Sequence, residues 1–325
     1  MRKFIHEYSP SFNESDSKAV ADVVASGWIS EGKLTKEFEE KVASVMGYKF
    51  GVATCNGTIA ISLGLWAMDF KAGDTISMPD FAFVATANAI SMIGAKPKFR
   101  DVKASDFNAD FLHVPVALNG RGVGTLSHSV LDAAQALGSN IEKSGIATLS
   151  FAPPKMLVTG QGGMLFTDSK EVEEKIRRLK DHGRLDKADY HPSRGFDFKF
   201  TDLQAALGLS QLRRLPKRIQ QKQAIFNHYR DELGDLCPPF KDGELLMMQD
   251  ILVNDRNRLV VRLLKLGIQT RPFYCPLHTQ PVYKTNWRFP VTERISATGL
   301  WLPSSPDLSS EEVSFICDSI KRRLK

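Results

Sequence analysis

Apolar positions along the chain follow two spacings, and the switches between them outline an alternating α/β order. Between Glu14 and Ser26, Ala19, Val20, Val23 and Val24 fall on one helical face, and Gly27 closes the segment. Thr35 is placed to cap a second helix ending at Gly47. Lys49 to Thr54 reads as a strand, and Thr58 to Met68 as a helix so apolar all round that burial is expected. A strand at Thr75 to Met78, a helix at Val84 to Ile93 and a strand at Lys98 to Val102 follow. The apolar runs ending at Asp132, at Phe151 and at Thr167 read as further buried strands. Helices are predicted at Lys170 to Asp181, from Thr201 as cap through Leu212, and at Lys217 to Leu233. Cys237-Pro238-Pro239 and Asp242-Gly243 mark a linker. This divides a large unit over 1–235 from a small α/β unit over 236–325, with strands at Leu245 to Leu252 and Ile268 to Phe273, and helices at Arg256 to Leu266 and Glu311 to Leu324.

Candidate chemistry lies where those strands end. Ser150-Phe151-Ala152-Pro153-Pro154-Lys155 puts a lysine on a loop stiffened by two prolines, before the Gly-rich turn Gly160-Gln161-Gly162-Gly163. A lysine desolvated in such a place loses pKa and becomes a nucleophile toward carbonyls, the chemistry of a Schiff base. A solvated surface lysine is the other reading of those residues alone. Val130-Leu131-Asp132 delivers a carboxylate at a strand's C-terminal end. Asn56-Gly57-Thr58 links a strand to a helix whose free N–H groups suit phosphate. A lysine Schiff base with an acid for a ring nitrogen and a phosphate cradle points to pyridoxal phosphate.

The 325 residues, 42% hydrophobic and 25% charged, are ordinary for a globular chain, and the net charge is +6. Lys and Arg are dispersed apart from clusters on predicted helices, so a solvated helix face is favoured over a nucleic-acid surface, and a mildly basic enzyme suits an anionic substrate. The four cysteines show neither C-x-x-C nor metal-ligand spacing, so no metal is expected. The first residues lack the apolar core of a signal peptide, and no run approaches the roughly 20 residues that span a bilayer. A cytoplasmic protein without membrane contact is expected.

Eight segments in order resemble the DegT/DnrJ/EryC1/StrS group of pyridoxal-phosphate sugar aminotransferases: Gly27-Trp28-Ile29-Ser30, Asn56-Gly57-Thr58, Phe83 to Asn88, Asp132-Ala133-Ala134-Gln135, Ser150 to Lys155, Gly160 to Gly163, His182-Gly183 and Thr201 to Ala206. The resemblance implies a fold-type I α/β enzyme. Its large domain would hold a mixed, mostly parallel sheet, and a smaller C-terminal α/β domain would follow. It implies Lys155 as the catalytic lysine, Asp132 on the pyridine nitrogen, Gln135 beside the ring hydroxyl and Phe83 packed on the ring. Asn56, Gly57, Thr58 and Ser150 would hold the phosphate. It further implies glutamate as amino donor, a nucleotide-linked keto sugar as acceptor, and a homodimer with shared active sites. Trp28, Ser30 and His278 are candidate substrate contacts, with a lone structural histidine an equal reading of His278. Gly299 to Ser305 resembles the perosamine-synthase branch, which aminates a 4-keto sugar nucleotide.

Two departures stand out. The span from Lys103 to Thr125 is short for the family. In the loop from Gly183 to Phe200, expected to reach the neighbouring subunit, the family's Gly-x-Asn with a later Arg is replaced by Gly195-Phe196-Asp197-Phe198-Lys199, so Lys199 would offset Asp197 at the phosphate. His182 is read as a helix-end group. The dehydratase branch, which replaces the lysine with histidine, is disfavoured by Lys155. A non-catalytic binding protein of the same fold, and an aminotransferase acting on a non-nucleotide keto sugar or cyclitol, remain as alternatives.

Overall fold

The computed structural model describes residues 4–124, 127–184 and 189–324. Ten α-helices and nine strands are seen among them. The first two-thirds of the chain builds the sheet that carries the site. β1 (Phe50–Thr54), β6 (Gly163–Thr167), β5 (Ile146–Ser150) and β4 (Val130–Asp132) lie in that order. β6 runs against both its neighbours, while β4 and β5 are parallel. A two-stranded parallel pair, β2 (Thr75–Pro79) and β3 (Lys96–Arg100), continues the layer. The link is the stretch at 113–117. Val114 donates its N–H to Ser77 O, Val130 and Asp132 donate theirs to His113 O and Pro115 O, and Ala117 N–H bonds Asp132 O. The short middle segment therefore still supplies a strand-like connector.

α3 (Gly57–Ala67) packs under β5 and β6, apolar all round as its composition requires. α1 (Glu14–Ser26) is capped by Asn13 through a capping box with Asp16 and ends at Gly27 in the left-handed conformation. α2 (Lys33–Val45) and α6 (Asp202–Leu212), on which α1 packs, cover the opposite face of the sheet from α3. α4 (Val84–Met92) and α5 (Lys170–Lys180) flank the sheet, and α7 (Leu215–Leu233) leads out of it. Beyond α7, β7 (Gln249–Leu252), β9 (Gly299–Leu302) and β8 (Arg271–Pro272) form an antiparallel sheet. α8 (Arg256–Lys265), α9 (Pro290–Thr298) and α10 (Ser310–Leu324) accompany it.

The core behind β7 and β9 also takes in Ile225, Phe226 and Tyr229 of α7 and Ile5 of the N-terminal arm. Trp301 and Phe273 join instead the core of β2, α3 and α4. The elements beyond residue 235 thus share cores with earlier parts of the chain at two places. No described helix is long and apolar enough to cross a membrane.

Several expected elements shift for identifiable reasons. Thr35 does not cap α2. The buried Asp202 carboxylate, at the start of α6, accepts the N–H groups of Gly32, Leu34 and Thr35 and the Thr35 hydroxyl. The strand expected over Leu245 to Leu252 begins only at Gln249. The N–H groups of Met247 and Met248 go instead to the carbonyl and side-chain oxygens of Asn119. The strand expected over Ile268 to Phe273 narrows to Arg271–Pro272, because Ile268 pairs with Ile5 of the N-terminal arm. The expected strand at Lys98 to Val102 lies two residues earlier. Pro216 sits in the first turn of α7, where a missing N–H costs nothing.

Candidate active site

β4, β5 and the N-terminus of α3 converge on one cleft of about 260 Å³. Asn56 caps α3, its Oδ1 accepting the Ile59 N–H at 2.9 Å and its carbonyl the Ala60 N–H. That leaves the amides of Gly57 and Thr58 at the helix mouth, on the cleft wall. Glycine is required here for space. A Cβ at Gly57 would come within 2.8 Å of Ser150 Cβ, and one at Gly163 within 2.4 Å of the Asn56 backbone. The strand end bearing Ser150 and the helix N-terminus can therefore close around a small anion.

Asp132 stands at the end of β4, only 6% exposed. Its Oδ2 accepts the Thr86 hydroxyl at 2.6 Å and its Oδ1 the Ala134 N–H at 3.1 Å, so it is aimed and partnered. Gln135 accepts the Asn119 N–H at 2.7 Å and donates to the Tyr274 hydroxyl at 3.3 Å. Phe83 precedes α4 and keeps a half-exposed ring on the cleft, 5.4 Å from the ring of Tyr274.

Lys155 lies on the same wall, following the two prolines, with Nζ 3.9 Å from Met247 Sδ. Burial pushes its amine down to about 8; the Asp132 carboxylate works against that shift and the Arg271 guanidinium adds to it. The side chain is half-buried, more enclosed than the surface lysine of the other reading. A partly neutral amine, a fixed carboxylate, a flat aromatic face and an anion cradle share one cleft, and this donor set fits pyridoxal phosphate.

The cleft brings together Asn56, Gly57, Thr58, Phe83, Asp132, Gln135, Ser150 and Lys155. It does not include the remaining candidates. His278 is buried, with Nδ1 2.6 Å from Asp80 Oδ2 and Nε2 3.6 Å from Glu293; within this chain it ties a loop to the end of β2. Trp28 is 63% exposed on the turn after α1. Ser30 and Lys199 line a second, open depression with Glu31, Asp181, Arg184 and Asp197. There Lys199 is shared between Asp181 at 3.1 Å and Asp197 at 3.7 Å. His182 ends α5 with a positive φ and lies 3.6 Å from Asp197. The part of that loop at 185–188 is outside the described residues.

Sequence reasoning missed Thr86, Met247, Arg271 and Tyr274. Thr86 sat inside a quoted motif, and its hydroxyl could have been assigned to the nearby acid. The other three come from beyond residue 240, and nothing local marks them.

An amine of this kind on a largely parallel sheet with one reversed strand places the protein among the pyridoxal-phosphate-dependent aminotransferases of fold type I. More narrowly, the chain belongs to the DegT/DnrJ/EryC1/StrS aminotransferase family, whose sequence profile matches residues 10–127 and 128–321. It is 29% identical over 358 aligned residues to a GDP-perosamine synthase of Vibrio cholerae, covering 97% of both chains. It is 28% identical to dTDP-4-dehydro-2,3,6-trideoxy-D-glucose 4-aminotransferase of Saccharopolyspora spinosa, covering 99% of this chain and 97% of the other. Among solved structures, the aminotransferase TlmJ from Streptoalloteichus hindustanus superposes with a TM-score of 0.90 at 27% identity, over 99% of each chain.

Proposed function

We propose that the protein transfers the amino group of glutamate to a keto group, at the 4-position, of a nucleotide-linked deoxysugar. Pyridoxal phosphate, when bound, supplies the carbonyl that carries the amine and the ring that takes up the electrons released when the donor's α-hydrogen leaves. Asn56, Gly57, Thr58 and Ser150 hold its phosphate through the α3 N-terminus and a hydroxyl. Asp132, fixed by Thr86, holds a proton at the ring nitrogen. Gln135 borders the ring hydroxyl and Phe83 covers one face. Lys155 Nζ accepts the donor's α-proton and returns a proton to the adjoining carbon, a role suited to an amine titrating near working pH. Phe83 and Tyr274 line the cleft and exclude water from these transfers.

The single observation that carries this reading is the pairing of Lys155 with Asp132 in one cleft of a family member. The two relatives named above act, by their names, on a GDP-linked and a dTDP-linked sugar, and the dTDP-sugar enzyme is a 4-aminotransferase. They support a nucleotide sugar over a cyclitol. Lys199 lies outside the Lys155 cleft of its own chain, on an open depression, which supports a homodimer in which Lys199 serves the partner's cleft. The test is the absorbance of the purified, cofactor-loaded protein. Glutamate is expected to move the near-visible band to the ultraviolet, and a 4-keto nucleotide sugar to restore it. A band that ignores glutamate overturns the assignment of the donor; one restored only by free keto sugars overturns that of the acceptor.

A further inference from the structure

Lys155 is a wall shared by two cavities. The first is the cleft described above. The second is small, about 10 Å³, and adds Tyr8, Leu157, Lys222 and Leu245 to the cleft residues Gln135 and Met247. That volume is the size of a single water.

The loop carrying the lysine is held from this side by side chains of distant segments. The Tyr8 hydroxyl, from the N-terminal arm, donates to Lys155 O at 2.6 Å. Arg218 Nη1 donates to Met156 O at 3.3 Å, and the Gln211 amide exchanges two hydrogen bonds with the Val158 backbone. Lys222 is the unusual member. It is 2% exposed and donates to Met247 O at 2.5 Å and Ser304 O at 2.9 Å, with its Nζ 5.1 Å from the Phe226 ring centre. Burial is the influence that shifts it, downward to about 7, with no carboxylate contributing. A buried amine held only by carbonyls is costly, and it needs a reason to persist. The carbonyl it grips belongs to Met247, whose sulfur touches the Lys155 amine.

We propose that Tyr8 and Lys222 are positioning residues for Lys155. Tyr8 fixes the lysine's backbone. Lys222 fixes the methionine against its amine. Together they seal the rear cavity and so keep bulk water from the nitrogen. Burial lifts the Tyr8 phenol to about 12, so it keeps its proton and remains a donor at any working pH. Lys222 donates both bonds whether charged or neutral. The inference rests on Lys155 being the reactive amine of the proposed function.

The test reads the amine directly, on the full chain freed of cofactor. Trace acetic anhydride is applied across a pH series, and acetylation of the Lys155 peptide is followed by mass spectrometry. The wild-type midpoint is expected at about 8. In Tyr8→Phe and in Lys222→Met, solvation of the nitrogen moves it upward, by on the order of one pH unit, toward the ordinary lysine value of about 10.4. Lys222→Arg, which keeps two donors, is expected to stay nearer the wild type than Lys222→Met. An unmoved midpoint in folded Tyr8→Phe overturns the proposal, even if the melting temperature falls, since a merely structural hydroxyl affects only the latter. Should Lys222→Met fail to fold, Tyr8→Phe decides alone. Turnover retained in Lys155→Ala would remove the proposed function while leaving these midpoints standing, so the two failures are distinguishable.

Discussion

The Lys155 cleft and the open depression around Lys199 each place a lysine near aspartates, and they treat them oppositely. Around Lys155 the neighbours are an aspartate already engaged by Thr86 and Ala134, a thioether and apolar walls. Among the described residues no carboxylate binds the amine, and burial lowers it to about 8. Around Lys199 the carboxylates do the binding. Asp181 takes Lys199 and Arg184, and burial that would raise it is outweighed, so it is held below the usual carboxylate range. Asp197 takes His182 and, more loosely, Lys199. The difference teaches how one residue type can be given opposite surroundings in two parts of one chain. Withholding a partner in an enclosed site lowers a lysine's pKa and so favours nucleophilic chemistry, whereas ion pairs at a wet site are worth about 0–1 kcal/mol each.

The largest effect expected from this contrast is at Lys155. Lys155→Ala should lower steady-state turnover by roughly 10³-fold or more, since both the covalent anchor and the proton carrier are lost. Turnover within tenfold of wild type would erase the contrast altogether. Next comes a mixing experiment. Lys199→Ala homodimers should bind cofactor poorly. Subunits of Lys199→Ala and Lys155→Ala, unfolded together and refolded, should recover about a quarter of wild-type sites if a dimer pairs each cleft with its partner's Lys199. No recovery would return Lys199 to a local role. The smallest effect concerns pH. Lys222 titrates near 7 when folded and near 10.4 when unfolded, so the unfolded chain binds more protons between these values and stability must rise with pH. Denaturant unfolding of cofactor-free protein at pH 6.5 and 7.5, below the cysteine range, should show that rise in the wild type and a weaker one in Lys222→Met. Equal slopes would mean that Lys222 is solvated after all.

How far the sequence carried this reading depends on the distance over which each feature is decided. Asp132 and Lys155 were legible because a strand end, two prolines and a glycine turn are local signals. α1 and α3 were legible from spacing and composition alone. The cap of α2 was not: Thr35 has the right chemistry, yet a carboxylate 167 residues away satisfies the same amides and its hydroxyl as well. Met247, Arg271 and Tyr274 were invisible for the same reason. The shortened middle segment looked like a loss, but Val114 and Ala117 still bond to both neighbouring strands, and the buried Asn119 docks the chain at 247–248. His278 was ambiguous because its partner Asp80 lies 198 residues away.

The N-terminal arm has a consequence for how the molecule is made. Ile5 waits for Ile268, Tyr8 for Lys155, and Ser9 for Ser305, a partner 296 residues later. At about 5–20 residues per second, synthesis leaves the first residues without their last partner for roughly 15–60 s. The lysine loop can collapse onto its sheet well before then. Lys222, which grips the carbonyls of Met247 and Ser304, can settle only once the far end of the chain has been made, so this side of the cleft is completed last.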